Sequence, residues 1–273
     1  MKIALVQQAA GLDKAANVRR GITAVERAAR EGARLVGFAE LGFERFHPQI
    51  PASEGYERLA ETVPGPTTDA FAAVARRLGV VVVLNLYEID GGRCFDCSPV
   101  LDADGSLVGR TRMIHITDYD GFHEQGYYTP GDTGAPVHRT AAGAVGIAIC
   151  YDRHYPEYMR ALALGGAEVV VVPQAGTVGE WPEGLYEAEM RVAAFQNGYF
   201  VALCNRVGIE ERLTFGGESF VCAPDGTVIG RAGSGDEILT ADLDLGRVSD
   251  SHARRLFVRD RRPELYAAWL GER

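Results

Sequence analysis

Short apolar runs alternate, from the first residues onward, with segments whose apolar side chains recur every three or four positions. The first pattern suits buried strands and the second amphipathic helices, so the alternation predicts a layered α/β architecture. "KIALVQ" at Lys2–Gln7 reads as a strand, Val18, Ile22 and Val25 fall at helical spacing, and "RLVGFAE" returns as a strand ending near Glu40. "TTDAFAAVARRLG" predicts a helix with a capping threonine and a terminal glycine, followed by one strand over Val80–Glu88. Turn signals "DGG" and "DADG" predict two hairpins, which make the sheet mixed rather than purely parallel. "AVGIAIC" is an apolar run that stops at Cys150, and a helix follows from Pro156 to Gly165 and Gly166. "GLYEAEMRVAAFQNG" reads as a helix, "YFVALCNRV" as a strand, and "ESFVCAPDGTVIG" as a hairpin tipped by Asp225 and Gly226. No linker, repeat or low-complexity stretch divides the chain, so residues 1–273 are expected to form one domain. Its last stretch, about 244–273, mixes charge with large apolar side chains and is expected to pack on its own domain or on a partner subunit.

Composition narrows the function classes. A 273-residue chain that is 47% hydrophobic can bury one large core. A formal charge of −9 offers nucleic acid no general attraction. The N-terminal segment turns polar after Val6, so neither an export signal nor a membrane span is expected, and the setting is expected to be cytoplasmic. Five scattered cysteines, an odd number, fit reduced thiols better than a disulfide framework. "CFDC" at Cys94–Cys97 has the spacing of half a zinc site, but no second pair completes it, so no metal is expected. Lysine occurs only at Lys2 and Lys14, a scarcity that matters for the chemistry.

A cysteine where a strand ends and a turn leads into a helix can present its sulfur to backbone N–H groups, which favour thiolate. Cys150 stands in that position, although a small buried cysteine closing a strand would look the same locally. Thiol chemistry also needs a base and a charge-stabilising donor. Glu40 at a strand end and Glu124 in the loop "GFHEQGYYTPGD" are candidate carboxylates, and each also reads as an ordinary solvated acid.

The segments "FAELGF", "HEQGYYTPGDTGAPV", "GIAICYDRHYPE", "RALALGGAEVVVVP" and "VALCNRVG" resemble, in order and across most of the chain, the landmarks of the nitrilase or carbon-nitrogen hydrolase superfamily. The resemblance implies a four-layer α-β-β-α sandwich with two mixed β-sheets. It also implies Cys150 as nucleophile, Glu40 as general base, Glu124 as a second positioning carboxylate, and the backbone N–H of Tyr151 as an oxyanion donor. The implied reaction is acyl transfer to sulfur with loss of ammonia or an amine, then hydrolysis of the thioester, with no metal or organic cofactor. "ICYDRHYPE" looks closest to the N-carbamoyl amidohydrolase branch, acting on β-alanine or polyamine ureido compounds. Members commonly pair through helices, so a homodimer or larger homo-oligomer is expected, with a small amide or N-carbamoyl compound as substrate.

One position departs from the family pattern. Where the family has a lysine two residues before a histidine, "TRMIHI" aligns Met113 ahead of His115. A thioether neither carries charge nor donates, and loss of one oxyanion donor costs about 3 kcal/mol. Arg112 is adjacent, but strand neighbours face opposite sides, so it needs a bulge or register shift to reach inward. His115 can donate if protonated, while Lys2 and Lys14 are remote in sequence. The substitution fits an engineered trap, an active subgroup with another donor, or a repurposed binding protein. Arg153 and His154 are candidates to meet a substrate carboxylate, or Arg153 fixes the loop through Asp152. Trp181, with Phe122, Tyr127 and Tyr128, is a candidate pocket wall, and residues 175–189, bracketed by Pro173 and Pro182, read as a loop over the site.

Overall fold

Residues 1–270 are described in a computed structural model of the chain, in which a seven-stranded and a six-stranded sheet carry most of the backbone. In the first sheet, β1 (Lys2–Gln7), β2 (Ala33–Phe38) and β3 (Val81–Val83) run parallel. β4 (Leu86–Asp90), β5 (Arg93–Leu101) and β6 (Leu107–Arg112) follow by antiparallel hairpins at the turns the sequence marked, and Glu237–Asp242 closes the far edge against β1. In the second sheet Gly143–Ile147, Val169–Gln174 and Phe200–Asn205 are parallel, with antiparallel strands on either side.

Both sheets are buried on both faces, which is why their strands read as nearly unbroken apolar runs. Ile3, Leu5, Leu35 and Val83 meet Val145, Ile147, Val171 and Ala202 in the layer between the sheets. The alternate residues Ala4, Val6, Val36 and Val82 pack outward on α1 (Lys14–Arg30) and α2 (Pro66–Leu78). On the opposite side Val170, Val172, Val201 and Leu203 pack under α3 (Pro156–Leu164) and α4 (Leu185–Asn197). The period of two in each strand thus yields the four layers α-β-β-α. Gly21 lets α1 settle on the Phe38, Phe43 and Phe71 rings, since a Cβ there would lie 2.8 Å from Phe43 Cε1.

Three local expectations are corrected. The strand expected over Val80–Glu88 is two strands, because Asn85 leaves the ladder and turns its amide inward. α2 begins at Pro66 with Gly65 as its cap, and Thr68 in its first turn accepts from the Gly65 amide at 2.7 Å. The loop at 175–189 ends at Gly184, where α4 begins, and Pro173 sits inside a strand opposite Cys204. In the tail, Arg254 donates to the carbonyls of Ala163 (2.6 Å) and Ala167 (2.7 Å), tying that stretch to the end of α3. The tail's final residues, 271–273, lie outside the described residues. No helix among the described residues is long and apolar enough to cross a membrane.

Candidate active site

The carboxyl ends of parallel strands from both sheets converge at one place, where the geometry of such sheets puts functional side chains. Ala148 still donates to Val171 across the second sheet, but at Cys150 the backbone turns into the left-handed region (φ 42°) and a short helical turn, Cys150–His154, begins. That conformation costs a non-glycine residue about 1–3 kcal/mol, which the surrounding structure must offset. Arg153 Nη1 holds the Cys150 carbonyl at 2.9 Å. Gln174, ending the neighbouring strand, donates from Nε2 to Cys150 Sγ at 3.3 Å, and the Ala175 amide also donates to the sulfur.

Glu40 arrives from the other sheet, just past β2. Its turn is held by Arg206, a fully buried side chain whose Nη1 donates to the carbonyls of Glu40 (2.8 Å) and Leu41 (2.5 Å). The same guanidinium reaches the Glu44 carbonyl (3.0 Å) and pairs with Glu210. Arg206→Ala would take the partner from Glu210 Oε1, whose Oε2 keeps the Phe46 amide and Gln49, and open this turn. The variant is expected to lose about 3–5 kcal/mol in urea denaturation, the usual consequence of breaking a buried pair. Glu124 enters from its own short turn, Glu124–Gly126, and its Oε2 accepts from the Thr117 amide at 3.3 Å. Ligand atoms of Glu40, Glu124 and Cys150 all lie within 4.8 Å of one another, at 0%, 0% and 5% exposure. A cation is the one kind of ion such donors could hold.

A fourth acid joins them. Asp96 is fully buried in β5 and receives Asn85 Nδ2 at 2.6 Å on Oδ1. Its Oδ2 and both oxygens of Glu40 are buried without a hydrogen-bond partner, and each acid shifts the pKa of the other. Burial, then the charges of Asp96 and Glu124, push the Glu40 carboxyl well up from the usual range. Burial likewise raises Glu124, and it raises Asp96 to about 7. The Cys150 thiol is pushed up by burial and by Glu40 and Glu124, against a smaller opposing pull from Arg153. The resting site therefore retains protons.

The shift at Asp96 has a stability consequence. A carboxyl whose folded pKa lies above its unfolded value contributes stability that is complete below about pH 4 and lost as pH rises through about 7. Asp96→Asn keeps the acceptor for Asn85 and gives Glu40 a donor. It is expected to raise stability by on the order of 2–4 kcal/mol at pH 8 and little at pH 4. Urea titrations at the two pH values check this, and a variant destabilised at pH 8 contradicts it.

The structure treats the other candidates unequally. The Tyr151 amide follows Cys150 directly, at the start of a helical turn where N–H groups lack an internal acceptor. Met113 is buried in the inter-sheet layer together with Cys150, and its amide donates to the Asp96 carbonyl at 3.0 Å. Arg112, offered as a replacement donor, is not brought to the cluster. Its guanidinium contacts Glu88 (2.8 and 2.9 Å), Asp90 (2.6 Å) and Asp132 (2.9 Å) and lies over the Phe95 ring. His115 is taken by Asp152 (2.7 Å) and stacks on Tyr155; Lys2 faces Asp242, and Lys14 faces Glu44 and Glu61.

Arg153 and His154 both reach Glu189, at 3.2 and 2.7 Å, in a pocket between α3 and α4 rather than beside Glu40 and Glu124, and Asp152 is engaged by His115. Trp181 packs edge-on against His154 and near Tyr119, at the rim formed by Glu180 with Tyr119 and Tyr186. Cys94 and Cys97 lie three residues apart on β5 and join different apolar clusters, so they do not form half a zinc site. Sequence reading missed Asp96, Asn85, Gln174 and Arg206. The available signal was a polar residue inside or ending an apolar strand, as in "CFDCSPVL" and "VVVVPQ".

Comparison with known proteins agrees with this layout. A family model described as carbon-nitrogen hydrolase matches residues 2–253. The N-carbamoylputrescine amidase of Solanum lycopersicum is 33% identical over 285 residues, covering 98% of this chain and 94% of that protein. A carbon-nitrogen hydrolase from Helicobacter pylori G27 superimposes with a TM-score of 0.92 at 30% identity, covering 100% of this chain and 99% of that one. A mutant of the amidase from Nesterenkonia sp. AN1, in which acrylamide has undergone Michael addition at the active-site cysteine, matches at 0.83 and 27% identity, over 98% and 99% of the two chains.

Proposed function

The chain belongs to the carbon-nitrogen hydrolase family, and we propose that it hydrolyses the C–N bond of a linear amide or N-carbamoyl amine through a Cys150 thioester. The observation that carries this reading is the meeting of Glu40, Glu124 and Cys150 within 4.8 Å in a buried site. Glu40 takes the thiol proton as sulfur attacks the carbonyl carbon, then passes it to the departing nitrogen. Water then attacks the thioester, Glu40 receives its proton, and the C–S bond breaks to restore the thiol. Glu124 positions the substrate, and the Tyr151 amide, with donors at Gln174 and Ala175, supports charge near the sulfur. The N-carbamoyl preference rests on similarity to an N-carbamoylputrescine amidase.

The test is ammonia release from a panel of N-carbamoyl amines, N-carbamoyl amino acids, simple amides and nitriles. Silence across the panel would favour a second reading, a repurposed binding protein, for which Met113 is the specific observation. Met113→Lys then separates the two. An impaired enzyme is expected to gain about a hundredfold in kcat when a cationic donor is restored, while a binding protein gains nothing.

Exposed Leu185, Val192 and Phe195 on α4, with Leu256 and Phe257 in the tail, support a homodimer or larger assembly. Light scattering that finds only a 29.5 kDa species at micromolar concentration overturns that. The five free cysteines support a reducing, cytoplasmic setting, and the family match from residue 2 to 253 supports one domain.

A further inference from the structure

We propose that this site takes a cationic electrophile, the carbon of an amidinium or guanidinium group, in preference to a neutral amide of the same shape. The proposal rests on Cys150 being the nucleophile of a C–N hydrolase and concerns the charge of the group it attacks.

Glu40 Oε1 and Oε2, Asp96 Oδ2 and Glu124 Oε1 are all buried without a donor. Gln174 directs Nε2 to the sulfur, and its Oε1 is also buried without a donor. Buried acceptors require N–H or O–H partners, and buried carboxylates require a positive charge. The one unpartnered hydroxyl beside these acids is Tyr128 Oη, whose phenol is held neutral by burial and by Asp96, Glu40 and Glu124.

Positive charge is scarce there. Arg153 acts on the thiol, donates from Nη1 to the Cys150 carbonyl and faces Glu189 through Nε, which leaves Nη2 as a single buried N–H group without an acceptor against five orphan acceptor atoms. His115 is bound to Asp152, Arg112 to Glu88, and Met113 fills its position with a thioether. Asp152 and Glu180 add negative charge around Glu124. Glu180 in turn receives the hydroxyls of Tyr119 and Tyr186. The ligand itself must then bring the donors and the charge. A primary amide brings a further acceptor with its carbonyl, whereas a guanidinium brings only N–H donors in a planar fork that matches carboxylates.

The chemistry agrees with the charge. Thiolate addition to an amide carbon leaves an anionic oxygen among carboxyls with no lysine to stabilise it. Addition to an amidinium carbon moves the C–N π pair onto nitrogen and leaves an uncharged adduct. Glu40 passes the former thiol proton to one nitrogen, which departs as ammonia, leaving a cationic thioimidate. Water adds to that carbon with its proton going to Glu40. The C–S bond then breaks with its pair returning to sulfur, which takes the Glu40 proton to restore the thiol, while the adduct's hydroxyl proton passes to the departed ammonia and leaves a neutral amide or urea. In sum, amidinium and water give amide and ammonium.

The test is calorimetric titration of the intact protein with acetamidinium against acetamide, and with methylguanidinium against methylurea, at about pH 6 and about pH 9. The cations are expected to bind at least about tenfold tighter than their neutral counterparts at the higher pH, and less tightly at the lower, as the carboxyls take up protons. Met113→Lys and Asp96→Asn are each expected to shrink that preference. Equal or tighter binding of the neutral compounds, or a preference untouched by Met113→Lys, overturns the proposal. Ammonia release measured in parallel separates the two readings. Turnover of amides without a cation preference sinks this inference alone. A cation preference without turnover of either class supports the charge preference of the site and sinks the hydrolase reading, together with the attack at carbon that rests on it.

Discussion

Cys150→Ala is expected to lower kcat by roughly 10⁵-fold or more on any substrate the wild-type protein hydrolyses, because no covalent intermediate can form without the sulfur. The prediction is sharp because nothing nearby can substitute for it. Cys94, Cys97 and Cys222 are buried in other apolar clusters, Cys204 gives its thiol to the Val6 and Gly37 carbonyls, and burial pushes each thiol up in pKa. Truncation to alanine removes one sulfur from a site that already tolerates unpartnered atoms, so the fold should persist. A melting curve close to wild type, together with lost turnover, separates chemistry from unfolding. Cys150→Ser gives the same comparison at nearly constant volume. Residual turnover within tenfold of wild type in a folded alanine variant would contradict the covalent route.

Glu40→Gln is the second large effect, with an expected fall of about 10³–10⁴ in kcat/KM, the range for removing a positioned general base. The glutamine amide supplies a donor where the Glu40 oxygens and Asp96 Oδ2 are buried without one, so the local packing should survive. The pH profile carries the sharper information. Burial and neighbouring acids raise the Glu40 carboxyl, so its basic form appears only at pH values above the ordinary carboxylate range. Wild-type kcat/KM is expected to fall as pH drops, starting above the ordinary carboxylate range, and Asp96, raised to about 7, loses its charge on the same descent. In Glu40→Gln that limb disappears, and the remaining rate climbs only at higher pH as the buried thiol ionises. A loss smaller than about tenfold with an unchanged profile would move the base elsewhere, Glu124 being the other carboxyl within reach of the sulfur.

Much of the fold was legible because a strand buried on both faces must be apolar along its length, and a crossover helix must carry an apolar stripe. Residues such as Val169–Val172 and Val18, Ile22 and Val25 state those requirements locally. The places where reading failed are those where a side chain serves a distant partner. Asn85 breaks an otherwise convincing strand because its amide is needed by Leu41, Asp96 and Ser98. Pro173 looked like a bracket for a loop, yet it lies in a strand opposite Cys204.

The candidate site divides in the same way. Glu40, Glu124 and Cys150 could be singled out from strand ends, turn residues and motif resemblance, since each of those signals spans only a few neighbours in the chain. The Asp96–Glu40 pair, the Gln174 donor and the Arg206 clamp join residues far apart in sequence, so their meeting depends on how two sheets stack. The case of Arg112 and Met113 shows the reason most plainly. Both were visible as candidates, but the register of β6 on β5, with Arg112 opposite Cys97, decides that the guanidinium joins Glu88. Met113 is left in the buried layer that also holds Cys150. Local pattern specifies which residues are buried or turned; only the packing of remote segments selects which buried groups share a proton or a charge.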